Sequence, residues 1–180
     1  MAETYWTGAG TANDFDDDAN WSGTAPGSGD TAIIADTNSA IDDTSVAAVY
    51  SKLRIGQSFT GSIGTNVTGG QALIASGTLD ELDFNSRSKA AFSGAVTSVV
   101  VSDVNTASDG FAFHGTATDF QVIGGNGTIV IESAASITST LEIIGAPAVK
   151  LTVNAAASLA GTFIMDGGRV TLASGHAGTL

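Results

Sequence analysis

The sequence contains no cysteine. That excludes a disulfide framework and a thiolate metal site, so the fold must rest on its core and its hydrogen-bond ladders. Positive charge is nearly as scarce: six Lys and Arg stand against eighteen Asp and Glu, a formal net charge of −12. Phosphate binding needs a cationic surface, so nucleic acid is not an expected partner. Proline occurs only twice, aromatics make up 7% and charged residues 13%. A surface with so few charges is solvated by Ser, Thr, Asn and Gly. No apolar run reaches the length of a membrane helix, and Met1-Ala2-Glu3-Thr4-Tyr5-Trp6 has neither a basic nor an apolar leader region. The expectation is a chain made in the cytoplasm, without a membrane partner and not exported by the general secretory route.

What remains is 43% hydrophobic, mostly Ala, Val, Ile and Leu, with 23 glycines. That is enough apolar side chain for a core and too much for a disordered tail. Its arrangement is repetitive. Val101, Val122, Ile143 and Ile164 follow each other at steps of 21, and Val99, Phe120 and Leu141 keep the same step two residues earlier. A second series runs Ile129, Val149, Val170, with Ile131, Leu151 and Leu172 beside it; a third runs Ile137, Leu159, Leu180. Within each unit apolar residues come two apart, which is the period of a half-buried strand. Gly- and Asn-containing turns separate the strands, as at Gly124-Gly125-Asn126-Gly127 and Asp166-Gly167-Gly168. The segment Ala134 to Leu141 is the best helical candidate, but its Ser, Thr and β-branched content argues against a helix.

Three short strands recurring every 20–22 residues match one turn of a parallel β-helix. The predicted fold is therefore all-β, a right-handed parallel β-solenoid, with a β-sandwich as the alternative. Residues 1–45 form an N-terminal cap or docking segment, and residues 46–180 the repeat domain. Equivalent residues then stack about 4.8 Å apart. One outward row would hold Val130, Lys150 and Thr171, the next Glu132, Thr152 and Ala173, which puts Lys150 diagonal to Glu132. Leu53-Arg54-Ile55 and Leu82-Asp83-Phe84 read as the same strand 29 residues apart, with an insertion containing Gly61, Gly64, Gly69 and Gly70 between them. Leu180 falls on a core register with no polar cap after it, so a partner or further chain is expected at that end.

The first thirty-five residues differ from the rest. They hold Trp6-Thr7-Gly8, Phe15, Asn20-Trp21-Ser22, Pro26-Gly27 and Gly29-Asp30-Thr31-Ala32-Ile33-Ile34. Trp6 and Trp21 are expected over the open first coil, Pro26-Gly27 in a turn, and Asp30 capping that turn before a strand Ala32 to Ala35. This segment resembles the opening cap of repetitive β-solenoid proteins of phage virions and of autotransporter-like bacterial surface proteins. The resemblance covers about thirty residues and implies architecture more than activity. The missing leader and membrane barrel shift it towards the virion branch.

Candidate sites are few. Asp14, Asp16 and Asp18 have the spacing that opens a calcium loop, but Ala19 stands where the loop needs Gly and Ala25 where it needs Glu. A looser Ca²⁺ site with Asn13 or Asn20 competes with a solvated acidic turn, and the turn is favoured. His114 and His176 lack metal-ligand spacing. Asp80, Glu81 and Asp83, with Arg87 or Lys89 nearby, are the best candidates for polysaccharide chemistry, and Phe163 beside Glu142 the best exposed ring for a sugar. They do not recur at coil spacing, so no cleft is expected from them. No Gly-x-Ser-x-Gly elbow or phosphate-binding loop occurs. Three Asn-x-Ser/Thr sequons begin at Asn20, Asn66 and Asn126. We therefore expect no catalytic, cofactor or metal residues. The expected role is that of a virion structural protein, a decoration or cement protein on the capsid exterior or a short fibre module. The resemblance to virion solenoids implies further copies of itself, as a homotrimer, as partners, together with the major capsid protein. Val100, Val130 and Phe163 would supply apolar outward contacts. A carbohydrate- or receptor-binding adhesin is the alternative, and a polysaccharide-degrading enzyme the third choice.

Overall fold

The computed structural model describes residues 2–10, 15–35, 40–41, 51–56, 62–63, 78–86, 90–92, 95–104, 111–145 and 148–172. The chain alternates between two sheets. The nine-stranded sheet runs in space through Glu3–Tyr5, Thr31–Ile34, Lys52–Ile55, Thr78–Ser86, Ala95–Val104, Thr116–Val122 and Ser136–Ile144. Both Ser158–Leu159 and Thr162–Asp166 then pair with Ser136–Ile144. The seven-stranded sheet runs through Ala40–Ile41, Ser62–Ile63, Ala90–Phe92, Phe111–Phe113, Thr128–Ile131, Lys150–Val153 and Arg169–Leu172. Every pairing of these strands is parallel, which a β-sandwich of hairpins does not allow. The fold is a parallel β-solenoid. Ala134–Leu141, the helical candidate, contributes to the strand Ser136–Ile144 instead.

The interior is built of stacked rows. Ala32, Leu53, Leu82, Val99, Phe120 and Leu141 lie opposite one another on successive strands. All six are at most 3% exposed, so one side chain per coil forms a continuous dry column. The parallel column Ile34, Ile55, Phe84, Val101, Val122, Ile143 is equally buried. Leu53-Arg54-Ile55 does pair with Leu82-Asp83-Phe84 across the 29-residue step. The glycine-rich insertion between them lies outside the described residues, apart from the short strand Ser62–Ile63. From the second sheet, Phe111, Ile129 and Leu151 close the core, with Phe113, Ile131 and Val153 beside them. The long strands of the first sheet also bend, and Val96, Ala117 and Ile137 face inward before the bend. The inward–outward alternation is thus broken once along each of these strands.

Two of the expected series pair with other partners. Ile143 pairs with Met165 and not with Ile164, while Phe163 pairs with Leu141. The cause is turn length. Seven positions separate Val122 from Ile129, whereas eight separate Ile143 from Leu151. A one-residue slip turns every following side chain over. Ile164 therefore points outward at 42% exposure, and Phe163 packs against the core instead of standing free beside a sugar site. In the second sheet Ile129 pairs with Leu151 and Ile131 with Val153, two residues from the expected partners Val149 and Leu151. A two-residue slip preserves the face, so the expected core residues are still buried. It does change the outward rows: Lys150 lies between Thr128 and Arg169, away from Glu132. Glu132 accepts a hydrogen bond from Asn154 Nδ2 on the next coil instead. Ile137 pairs with Leu159 as expected; Leu180 lies outside the described residues.

The N-terminal end is closed by an aromatic plug. Trp6, Phe15 and Trp21 are each at most 6% exposed. Phe15 meets the Trp21 ring edge-on at 4.7 Å between centroids, and Trp6 meets it edge-on at 5.2 Å. The Trp21 indole N–H donates to the Phe15 carbonyl at 2.7 Å, which pays the cost of burying it. Asp30 ties the turn as expected. Its carboxylate accepts from the Ala2 N–H at 2.8 Å and the Gly27 N–H at 3.1 Å. The strand after it is Thr31–Ile34, one residue earlier than expected.

These two backbone N–H groups, that of Ala2 first, hold the Asp30 carboxyl below its ordinary value of 3.8. A depressed carboxylate contributes stability above its unfolded pKa, and that contribution fades as the pH falls through the lower folded value. Asp30→Ala should therefore lower the melting temperature at neutral pH. The gap to the wild type should narrow in thermal melts below about pH 3.8.

Candidate binding face

The outward side of the large sheet presents two rows of mostly polar side chains across successive coils. One row is Lys52, Glu81, Ser98, Asp119, Thr140 and Thr162; the other is Arg54, Asp83, Val100, Gln121, Glu142 and Ile164. Interior positions alternate with these along each strand, so the sheet itself sets the lattice. Rows on one face lie about 6.6 Å apart and coils about 4.8 Å apart.

Asp80, Glu81 and Asp83 are brought opposite a matching set after all. The Ser51 hydroxyl donates to Asp80 at 2.6 Å, Lys52 pairs with Glu81, and Arg54 Nε lies 3.7 Å from Asp83. The match follows the 29-residue step at which Leu53-Arg54-Ile55 and Leu82-Asp83-Phe84 read as the same strand. The ladder pins two coils in register across a long connection. It leaves no free acid–base pair, because each carboxylate already has its partner. Arg87 and Lys89 lie outside the described residues. Lys52→Gln should cost at most about 1 kcal/mol in urea unfolding, and less at high salt, since both partners of this pair are partly exposed.

Two members of the acidic run near the N-terminus, Asp17 and Asp18, are committed to structure. Asp17 caps a short 3₁₀ turn, Asp18–Asn20, by accepting from the Ala19 N–H. Asp18 accepts from the Ala25 N–H at 2.7 Å. Asn20 is fully buried, with its side-chain oxygen accepting from the Gly10 N–H at 2.8 Å, so its sequon is inaccessible in the fold. Asn13 and Asp14 lie outside the described residues. Among the described residues no three His, Asp or Glu gather as metal ligands. His114 follows the strand Phe111–Phe113 at a corner, half-buried, and His176 lies outside the described residues. No family model, curated protein or solved structure matches the chain.

Sequence reasoning missed the surface around the bend in the first sheet. Thr97, Thr118 and Thr138 are exposed at the corner, with Thr116 beside them. They line a depression of about 220 Å³. Across the corner, Ser98, Asp119, Gln121, Thr140 and Glu142 line a second depression of about 270 Å³. Gln121 Nε2 donates to Glu142 Oε2 at 2.7 Å, one coil on. The register breaks at this corner: Ala117 pairs with Ile137, but Asp119 pairs with Thr140, so Thr118 faces two residues, Thr138 and Ser139. A bulge of this kind bends the strand and re-aims side chains. The signal for it was present as three polar residues, Thr138-Ser139-Thr140, between the inward Ile137 and Leu141.

Proposed function

We propose that this chain is a non-enzymatic structural protein of a virion, a decoration or cement protein on the capsid exterior or a short fibre module. The observation that carries this reading is the unbroken parallel stack, whose first strand is Glu3–Tyr5 and whose last is Arg169–Leu172. Each inner strand bonds to the coil before and the coil after, and its side chains fill a dry column. Such a stack opens slowly and offers proteases little free backbone, which suits a particle surface. The resemblance of the Trp6 to Ile34 segment to virion solenoid caps supports the same reading. So does the use of Asp80, Glu81 and Asp83 as a ladder between two coils.

Self-association and docking onto the major capsid protein would use the apolar outward residues. Val100 and Val130 are half-buried on different faces, and Ile164 is 42% exposed on the strand Thr162–Asp166 of the large sheet. Phe163 leaves this set because it packs inward. Immunogold electron microscopy of purified particles tests the proposal. Label over capsid heads is the expected result; purified particles free of the protein would overturn it.

A further inference from the structure

We propose that the corner formed by the strands Ala95–Val104, Thr116–Val122 and Ser136–Ile144 binds a neutral polysaccharide chain. The two depressions of about 220 and 270 Å³ lie side by side on the same three strands. Each is smaller than the roughly 300 Å³ at which pockets begin to enclose a drug-sized ligand. The occupant that fits is therefore an extended polymer lying over both, with one sugar unit in each.

The groups present match hydroxyl chemistry. Asp119 and Glu142 are acceptors for sugar hydroxyls, and the Gln121 amide keeps one oxygen of Glu142 fixed at 2.7 Å. Asp119 has no hydrogen-bond partner among the described residues, so its carboxylate is available to a ligand. Ser98 and Thr140 can donate or accept. On the other side of the corner, Thr97, Thr116 and Thr118 offer methyl groups for the C–H faces of the rings and hydroxyls for their edges, while the Thr138 hydroxyl donates to the Ala117 carbonyl at 3.4 Å.

Charge selects against acidic polymers. Lys52 and Arg54, the cations on this face among the described residues, are both paired with carboxylates. The face therefore carries Asp119 and Glu142 with no basic group to receive a uronate or sulfate, on a chain of net charge −12. A neutral glycan pays no such repulsion.

Affinity electrophoresis in native gels cast with dextran, mannan, soluble starch or, as the acidic control, polygalacturonate tests the inference. At least one neutral polymer should retard the wild-type protein, and polygalacturonate should not. The double variant Asp119→Asn/Glu142→Gln should lose at least tenfold in apparent affinity with an unchanged melting temperature. Lys150→Ala, on the other sheet, should be retarded like the wild type. The inference is overturned if no neutral polymer retards the protein, if polygalacturonate does so equally, or if the double variant binds as the wild type does. Head labelling of particles is read separately, so the proposed virion role and the glycan site stand or fall independently.

Discussion

Phe120→Ala should destabilise the protein by about 3–5 kcal/mol, read as a fall in the urea midpoint at unchanged m-value. Phe120 is fully buried at the centre of the stack, between Val99 and Leu141 in its column. Its ring lies 5.4 Å from that of Phe113 and 6.1 Å from that of Phe111, so the two sheets meet through it. Truncation removes contacts from both sheets at once. The walls cannot collapse into the space, because each is a strand held by backbone bonds to coils above and below. Phe120→Leu keeps most of the volume and should cost no more than about 1.5 kcal/mol. If the alanine variant lost less than the leucine variant, the column would not be the source of the stability.

Gly161→Ala should cost about 3 kcal/mol or more, concentrated in the last coil. Gly161 has φ of +111°, and a Cβ built there would lie 2.0 Å from the Ser139 carbonyl oxygen. Both the backbone conformation and the approach of the neighbouring coil forbid a side chain. Gly145 separates the two effects: its φ is +59°, but a Cβ there meets nothing within 4 Å. Gly145→Ala should cost only the left-handed penalty, about 1–2 kcal/mol. In a stacked fold each coil depends on its neighbours, so damage at one end is felt locally first. Hydrogen exchange should therefore show lost protection at Thr162–Asp166 in Gly161→Ala, while Thr116–Val122 stays protected. Equal loss in both strands would mean that the coils unfold as one unit.

The register slips explain where reading by period succeeded. The alternation of Val99, Val101 and of Phe120, Val122 needs only local strand geometry, and it named the core correctly. The fourth member of that series failed because the turn after Ile143 is one residue longer than the turn after Val122, and parity was lost. The match of Arg54 to Asp83 was legible, because Leu53-Arg54-Ile55 and Leu82-Asp83-Phe84 read as one strand repeated 29 residues on, and the structure extends it to Lys52 and Glu81. The corner threonines escaped notice because their grouping depends on a bulge, which is a property of two strands together and not of one.

From the amino-acid order alone follow the strand class, the inward residues, the coiled architecture, the aromatic plug with its Asp30 turn, and the scarcity of chemical groups. These are consequences of local alternation and of composition. Which residues stack in the last coil and in the second sheet, how Asp80 and Glu142 are partnered, and where the outer face becomes concave were decided only by tertiary structure. Coil-to-coil register depends on the exact length of every turn, and a change of one residue there exchanges inside for outside.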